Sequence, residues 1–265
     1  MRVIIRGAGD LATGIARRLY SARFQVILLE TPQPTAIRRT VSFSAAVTDG
    51  TTTVEGVECV LASSVDEVET ILAAGNIALL VDPQAHCLPQ LRPDALVDAI
   101  LAKRNLGTAI TDAPVVVGVG PGFTAGTDCH AVVEAQRGHD LGRVILQGAA
   151  AANTGVPGEI GGHSTLRVLR APAAGVFRQA LDIGTSVAPG DVVGTVDGVP
   201  VVTEIEGMLR GVLPTGVPVM PGMKCGDVDP RCARSHCYTV SDKAQAIGGG
   251  VLEAILHLFP GPVTL

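Results

Sequence analysis

The residues best suited to chemistry stand near the start of the chain, where Gly7, Gly9 and Ala12 form a GxGxxA pattern after the apolar residues 1–6. Gly7 permits a tight strand-to-helix turn, Gly9 lets the backbone approach a phosphate, and Ala12 allows a helix to pack on a strand. Asp10 lies where a predicted helix begins, and helix N-termini attract anions. The pattern predicts a phosphate-binding turn, with a tight turn that binds nothing as the alternative.

Glu30 extends this pattern. An amphipathic helix is predicted after the glycines, and a second predicted strand, 25–29, runs into Glu30. An acidic residue about 20 residues past the glycines is placed to bind a ribose hydroxyl. We therefore expect a strand, helix and strand that bind a nucleotide-type ligand.

Three further residues are expected at the same ligand cleft. Asp82 follows the predicted strand 77–81, and Gly120 and Gly122 belong to a glycine-rich loop, 118–126, that follows another predicted strand. Ligands of parallel sheets bind beyond the carboxyl ends of the strands, and backbone N–H groups of such loops can bind phosphate. A turn aspartate and a flexible linker are the alternatives.

Two pairs of basic residues have competing interpretations. Arg38 and Arg39 could hold a phosphate through their planar guanidinium groups, or could lie in a solvated loop. Lys103 and Arg104 end a helix predicted over 94–104, where cations stabilise the helix dipole. The alternative is that the loop after this helix forms part of a cleft.

Thiol and imidazole groups near the end of the chain suggest a metal, because both suit zinc. However, Cys225, Cys232, His236 and Cys237 lack the paired CxxC spacing of structural zinc sites. We expect no directly bound metal. The sequence contains no GxSxG, HExxH or GK[ST] motif, so nothing favours a hydrolase or a kinase.

The elements that position these residues change in type along the chain. Strands alternate with helices in the first half, which predicts an α/β fold with a Rossmann-like parallel sheet domain over 1–128. A β-rich domain is predicted over 129–240, and a C-terminal helix over 241–265 is expected to return to the first domain. Segment 165–225 resembles a barrel-sandwich hybrid, although 196–204 offers no lysine for a swinging-arm carrier.

Composition limits the classes of partner. The chain has 265 residues and a formal net charge of -5, so we expect no nonspecific binding to nucleic acid. Mean hydropathy is +0.39, but the apolar runs are shorter than the roughly 20 residues that span a bilayer. The first residues lack the pattern of a secretory signal, and six scattered cysteines do not suggest a disulfide scaffold. We expect a cytoplasmic protein with reduced thiols and no membrane partner.

Several unusual segments resemble the YqeB family of accessory proteins of the selenium-dependent molybdenum hydroxylase system. The segments are GAGDLATG at 7–14, PTAIRRTVSF at 34–43, AKRN at 102–105, GPGFTAG at 120–126, the stretch 130–139, GMKCGDVDPR at 222–231 and SDKAQAIGGGVLEAI at 241–255.

This resemblance implies a maturation factor that binds a molybdopterin-type cofactor, or a nucleotide used to modify it, and that acts on a molybdenum hydroxylase apo-enzyme. The expected ligand-binding residues are Gly7, Gly9, Asp10, Ala12, Glu30, Arg38, Arg39, Asp82, Gly120 and Gly122. If selenium or sulfur is transferred, Cys225 or Cys237 could take part. An NAD-dependent oxidoreductase and a noncatalytic adaptor remain alternatives, and a homo-oligomer is possible.

Overall fold

The computed structural model describes residues 1–259. Two compact units divide the chain. The first contains residues 1–34, 42–153 and the described residues from 240 onward, and the second contains 35–41 and 154–239.

The first unit begins with three elements that the sequence predicts. Strand β1 (Arg2–Arg6) leads into helix α1 (Asp10–Ser21), and strand β2 (Gln25–Glu30) follows. Apolar residues line one side of α1, and Ala12, Ile15, Ala16 and Leu19 are all buried. This spacing of apolar residues is what directs one helical face to the sheet.

The rest of the first unit adds short helices and further strands. The helices are α2 (Ala46–Asp49), α3 (Val65–Ala73), α4 (Leu88–Leu91) and α5 (Asp242–Leu258), with a 3-10 turn at Phe43–Ala45. The strands are β3 (Thr51–Val54), β4 (Val57–Leu61), β5 (Ile77–Val81), β6 (Ala95–Asp98), β7 (Val115–Val119), β8 (Thr124–Ala125), β9 (Ala131–Val133), β10 (Val144–Ile145) and β11 (Gly148–Ala149).

Within residues 1–259, nine of these strands form one sheet in the order β10-β9-β7-β6-β1-β2-β5-β4-β3. The seven strands that lie between β3 and β10 in this order pair with one another in parallel. At the two edges of the sheet, β3 pairs antiparallel with β4, and β10 pairs antiparallel with β9. Strands β8 and β11 form a separate antiparallel pair. The carboxyl ends of the parallel strands therefore share one edge of the sheet.

The helix predicted over 94–104 is wrong. Ala95–Asp98 is instead strand β6, which pairs in parallel with β1 on one side and β7 on the other. Short apolar runs fit a buried strand or a buried helix equally well, so periodicity alone does not separate them. Lys103 and Arg104 consequently end no helix.

The division between the units falls near residue 153, whereas the sequence places it at 128. The reason is that β9 pairs with β7, and β10 with β9, so this stretch extends the large sheet.

Helix α5 confirms the helix predicted over 241–265 from Asp242 to Leu258 and packs against α1, as expected. Residues 260–265 of that prediction lie outside the described residues. Ser241 caps it by accepting a hydrogen bond from the Ala244 N–H at 3.2 Å. A Cβ atom on Gly14 of α1 would lie only 2.6 Å from the Ala244 Cβ, and one on Gly248 would lie 3.0 Å from the Gly14 carbonyl oxygen. The missing side chains thus let the two helix backbones approach closely.

The second unit is built from antiparallel strands. They are β12 (Val168–Arg170), β13 (Gly175–Gln179), β14 (Ser186–Val187), β15 (Val192–Val196), β16 (Val199–Val202), β17 (Gly207–Val212), β18 (Pro218–Val219) and β19 (Lys224–Asp229). Among its described residues they form two four-stranded sheets, β12-β19-β17-β14 and β16-β15-β13-β18. Phe177, Leu209 and Val228 belong to the apolar core of this unit. Short 3-10 turns occur at Arg39–Val41 and Arg234–Cys237.

None of the helices in residues 1–259 has the length and apolar character needed to cross a membrane.

Candidate functional site

Polar residues and glycines gather at the carboxyl edge of the large sheet. The residues that end or follow its parallel strands are Arg6 and Gly7 at β1, Glu30 at β2, Asp82 at β5, Asp98 at β6, Gly120 at β7 and Glu134 at β9. Ligands of open parallel sheets bind beyond this edge. It is therefore the candidate site of the first unit.

The two glycines of the first turn have different surroundings. Gly7 has a φ of +98°, and a Cβ atom there would lie 3.0 Å from the Ala99 carbonyl oxygen. Gly9 precedes α1 with a φ of -67°, and a Cβ atom there would have no neighbour within 4 Å among the described residues. Ala12 is buried, at 1% exposure. Gly7 and Ala12 thus serve close packing, whereas Gly9 faces open space.

The start of α1 leaves backbone donors at this open space. The first intrahelical bond runs from the Thr13 N–H to the Gly9 carbonyl at 2.8 Å, so the N–H groups before Thr13 have no partner inside the helix. Gly9 contributes no capping side chain, and Asp10 in the first turn stabilises the dipole.

Glu30 holds the glycine turn in place. One carboxylate oxygen, Oε2, accepts a hydrogen bond from the Ala8 N–H at 2.9 Å. The other, Oε1, accepts from the Thr31 N–H at 2.8 Å and from the Thr31 hydroxyl at 3.2 Å. A carboxylate can accept about four hydrogen bonds, so capacity remains for a ligand hydroxyl.

Asp82 closes the turn that follows β5. Its Oδ2 accepts a hydrogen bond from the Cys87 N–H at 2.8 Å, and its Oδ1 lies 3.5 Å from His86 Nδ1. Partial burial acts to raise the pKa of Asp82, but hydrogen bonds from Cys87 and His86 outweigh it and lower the pKa. Asp82 therefore stays ionised and organises its own loop.

Protein atoms fill the space beside the glycines of loop 118–126. A Cβ atom on Gly118 would lie 2.5 Å from the Phe123 ring, one on Gly120 would lie 3.1 Å from the Ala135 Cβ, and one on Gly122 would lie 2.6 Å from the Arg104 backbone. Close packing of this loop is enough to require glycine at these positions.

Arg38 and Arg39 belong to the second unit and bond to acceptors there. Arg38 is buried, and its Nη2 donates to the carbonyls of His236 and Thr239 at 2.9 and 3.1 Å. Arg39 donates to the Val212 carbonyl at 3.0 Å and to the Gln179 side chain at 2.7 Å. Both guanidinium groups thus bond to protein acceptors, and a phosphate-binding role stays a prediction.

A buried polar cluster, Arg6–Asp98–Thr108, is not among the residues that the sequence predicts for the site. The Thr108 hydroxyl donates to Asp98 Oδ2 at 2.6 Å and accepts from Arg6 Nη1 at 2.6 Å. Arg6 Nη1 lies 3.6 Å from Asp98 Oδ2, and Arg6 and Asp98 are only 4% and 2% exposed. A charged residue ending an apolar strand was a visible signal at Arg6. The signal at Asp98 was hidden by the incorrect helix over 94–104.

A second charged cluster lies in the β-rich unit. Asp227 pairs with Arg167 and Arg210, and Asp229 pairs with Arg210 and Arg231. Burial acts to raise the pKa of Asp229, but hydrogen bonds from Arg231 and the charges of both its arginine partners lower the pKa to about 2. The ion pairs of Arg210 with Asp227 and Asp229 join strand β17 to strand β19 within one sheet.

The thiols considered for transfer chemistry are poorly placed for it. Cys225 and Cys237 are 1% and 0% exposed, and burial raises the pKa of Cys225 to about 11 and also raises that of Cys237. Cys232 is the exposed cysteine. Within residues 1–259, no group of three or more His, Cys, Asp or Glu side chains is arranged to hold a metal ion.

These features define a mixed α/β protein whose candidate site lies at the carboxyl edge of a mostly parallel sheet. The chain is 53% identical over 256 residues to the uncharacterized protein YqeB of Escherichia coli K12, an alignment that covers 97% of this chain and 47% of that protein. The chain thus spans about half the length of the curated relative that it matches, and the identity supports the YqeB-family resemblance. No protein-family model matches the chain.

Solved structures give only weak likenesses. An aspartoacylase family protein from Mesorhizobium loti shares 11% identity, covering 86% of this chain and 83% of that one, with a TM-score of 0.28. A succinylglutamate desuccinylase/aspartoacylase from Rhodobacter sphaeroides shares 16% identity, covering 86% and 85%, with a TM-score of 0.27. Scores this low support no conclusion about fold or activity.

Proposed function

We propose that the first unit is a Rossmann-like domain that binds a molybdopterin-type cofactor or a nucleotide, and that the chain uses it as an accessory factor in maturing selenium-dependent molybdenum hydroxylases. The observation that carries the binding proposal is the open space at Gly9, beside the N-terminus of α1. Phosphate groups bind at such positions because backbone N–H groups and the helix dipole both favour an anion.

Strand order supports this domain type. Across the sheet, six parallel strands follow one another in the order β5-β2-β1-β6-β7-β9, with β4 lying outside β5. When β3, β4 and β8 are left out and these six are numbered by their order along the chain, the order across the sheet reads 3-2-1-4-5-6. That is the order of dinucleotide-binding sheets, in which the ligand crosses the edge where the order reverses, beside the first strand. Gly9 lies at that reversal because it follows β1.

Glu30 supplies the second contact of the proposed ligand. Its carboxylate is fixed by Ala8 and Thr31 and lies at the end of the strand next to β1. A ribose hydroxyl could donate to it, whereas a 2′-phosphate would meet a like charge. We expect a ligand with an unmodified ribose, or a pterin hydroxyl, at this position.

The second unit would serve the protein partner. We propose that its two four-stranded sheets form the barrel-sandwich hybrid predicted for 165–225, and that it meets the hydroxylase apo-enzyme. The maturation role itself comes from the family resemblance, since the name of the E. coli relative states no activity.

The identity of the ligand decides the proposal most directly. The protein should be purified from its natural host, small molecules released from it should be identified by mass spectrometry, and molybdenum and selenium should be measured. A bound pterin or nucleotide is the expected result. Ligand-empty protein that also fails to bind pterins and nucleotides in titrations would overturn the binding proposal.

A single substitution tests the position of the site. Gly9→Asp should abolish ligand binding and hydroxylase activation, because a carboxylate at the helix N-cap repels phosphate and takes the N–H groups that phosphate needs. Gly9→Ser is the matched control, because serine caps the helix without adding a charge. The Gly9→Ser protein should therefore bind the ligand more tightly than the Gly9→Asp protein does. Normal hydroxylase activation by Gly9→Asp would favour a noncatalytic adaptor.

An NAD-dependent oxidoreductase is the second candidate, and the acidic Glu30 beside the glycine turn favours it. Sustained oxidation of NADH that depends on an added carbonyl substrate would establish it. Binding of NAD without turnover would leave accessory function as the better explanation.

A further inference from the structure

Arg6 and Asp98 occupy the position where the strand order reverses. They are the last residues of β1 and β6 and stand opposite each other in register. The chain builds outward from β1 through β2 to β5 and then crosses to β6 on the other side of β1. The two side chains therefore lie where doubly wound sheets bind their ligands.

The surrounding loops fix the Arg6 guanidinium. Its Nη2 donates to the carbonyls of Pro83 and Leu106 at 3.1 and 3.2 Å, while Nη1 donates to Thr108. The Asn105 side chain holds the Thr108 loop by accepting from the Thr108 N–H at 2.8 Å and donating to the Thr108 carbonyl at 2.7 Å. Both terminal nitrogens are thus directed at protein acceptors.

The remaining nitrogen of this side chain has no acceptor. Arg6 Nε is buried and makes no hydrogen bond to any of the described residues. Leaving such a donor unsatisfied costs the free energy of its desolvation, and the cost is larger in a charged group. Arg2 Nε is likewise buried without an acceptor among residues 1–259, so it is the place of Arg6 at the reversal of the strand order that makes a ligand the acceptor to test.

Charge balance indicates the kind of acceptor. Asp98 lies 3.6 Å from Arg6 Nη1 and offsets its positive charge, and both groups are buried. An added anion would be buried without its own counter-charge, whereas a neutral oxygen would not. A carbonyl of a heterocycle or of a carboxamide meets this requirement.

We propose that Arg6 is a ligand-binding residue whose Nε–H donates to a neutral carbonyl oxygen on the ring system of the ligand, such as a pterin carbonyl or a nicotinamide carboxamide. This rests on the proposed binding of a cofactor or nucleotide at Gly9. Because Nε is buried, a ring can reach it only when a neighbouring segment moves. The segments of Pro83 and Leu106 lie beside this side chain, since their carbonyls accept hydrogen bonds from Arg6 Nη2.

Nuclear magnetic resonance of the full chain, with 15N-labelled arginine side chains and backbone, tests the contact. The Arg6 Nε–Hε signal is assigned by its absence in Arg6→Lys, and independently by its displacement in Thr108→Ser, which keeps the hydroxyl. The probes are NAD+, the pterin neopterin, and ADP-ribose, which keeps both phosphates and both riboses of NAD+ but lacks the nicotinamide ring.

We expect NAD+ or neopterin to shift the Arg6 signal in a saturable way and to slow exchange of its proton with water. ADP-ribose should shift the Gly9 amide but leave the Arg6 signal in place. Arg6→Lys should weaken binding of the ring-bearing probe about tenfold, the effect of one lost hydrogen bond, and change ADP-ribose binding little. Arg178→Lys, at an exposed arginine of β13, should change neither.

Three results would overturn the contact while leaving the Gly9 site intact. The Gly9 amide could respond to NAD+ or neopterin while the Arg6 signal stays fixed, ADP-ribose could shift the Arg6 signal as strongly as NAD+, or the Arg6 proton could contact a bound water that persists in the complex. If no probe shifts the Gly9 amide, the ligand site proposed at Gly9 and the Arg6 contact both fail.

Discussion

At the scale of single residues, identical residue types have different roles. Gly7 is required by its positive φ and by the Ala99 carbonyl beside it, whereas Gly9 has an ordinary φ and open space. The GxGxxA pattern assigns the tight turn to Gly7 and the approach of a phosphate to Gly9. The surroundings of Gly7 agree with its assignment, and the open space at Gly9 leaves phosphate binding there a prediction.

Gly7→Ala should therefore lower the free energy of unfolding by about 1–3 kcal/mol, because alanine is strained at this φ and its Cβ would press on Ala99. Gly9→Asp should leave it unchanged or raise it by roughly a few tenths of a kcal/mol, because aspartate is a slightly better helix cap than glycine. Urea denaturation followed by circular dichroism measures both. Equal destabilisation by the two substitutions would show that Gly9 is also required by packing.

Asp229 predicts how the protein responds to acid. Its pKa of about 2 lies below the ordinary aspartate value of 3.8. The ionised group thus stabilises the folded state above about pH 4, and this contribution is lost as the pH falls toward 2. Asp229→Asn should be less stable at neutral pH and should lose stability less steeply between about pH 4 and 2.

Urea unfolding at a series of pH values checks this, with Glu206→Gln at an exposed site of the same unit as the control. A slope unchanged by Asp229→Asn would assign the acid sensitivity to other carboxylates.

At the scale of elements, the sequence predicts several helices and strands correctly. Strand 77–81 is confirmed at its predicted bounds, and the strand predicted before the glycine-rich loop is β7. The final helix, predicted over 241–265, is confirmed over Asp242–Leu258. Their patterns were decisive because β-branched or aliphatic runs ended at clear boundaries. Strand β6 was not predicted, because its short apolar run fits a buried helix as well as a buried strand. Pairing with β1 on one side and β7 on the other is what stabilises the extended conformation.

Helix α5 offers a matched pair of glycines. A Cβ atom on Gly249 would have no neighbour within 4 Å among the described residues, whereas one on Gly250 would overlap the Gly142 carbonyl oxygen. Gly249→Ala should raise the free energy of unfolding by up to about 1 kcal/mol through helix propensity. Gly250→Ala should lower it by about 1–3 kcal/mol through overpacking. Thermal and urea denaturation measure both changes. A change of stability in the same direction for both substitutions would contradict the prediction.

At the scale of the whole molecule, burial decides which thiols can react. Burial raises the pKa of Cys87 to about 12 and that of Cys129 to about 11. Burial and the charge of Glu58 raise the pKa of Cys59 further. Cys232 is the exposed member of the six cysteines. Thiol chemistry of the folded chain should therefore be confined to one residue.

Ellman's reagent at pH 8 should titrate about one thiol rapidly in the folded protein, because a thiolate that is both accessible and formed is needed for reaction. Cys232→Ser should remove this fast reaction, and unfolding in guanidinium should expose all six cysteines. A second fast thiol at Cys225 or Cys237 would reopen sulfur or selenium transfer by this chain.

The sequence by itself determined the first strand, turn, helix and strand, the acid at Glu30 and the final helix, because local periodicity and glycine spacing specify such elements. Tertiary structure decided what no local pattern records, since burial and pairing depend on residues distant in the chain. It made Ala95–Asp98 a strand, placed Arg6, Asp98 and Thr108 together, filled the space beside Gly120 and Gly122, and left open the space beside Gly9.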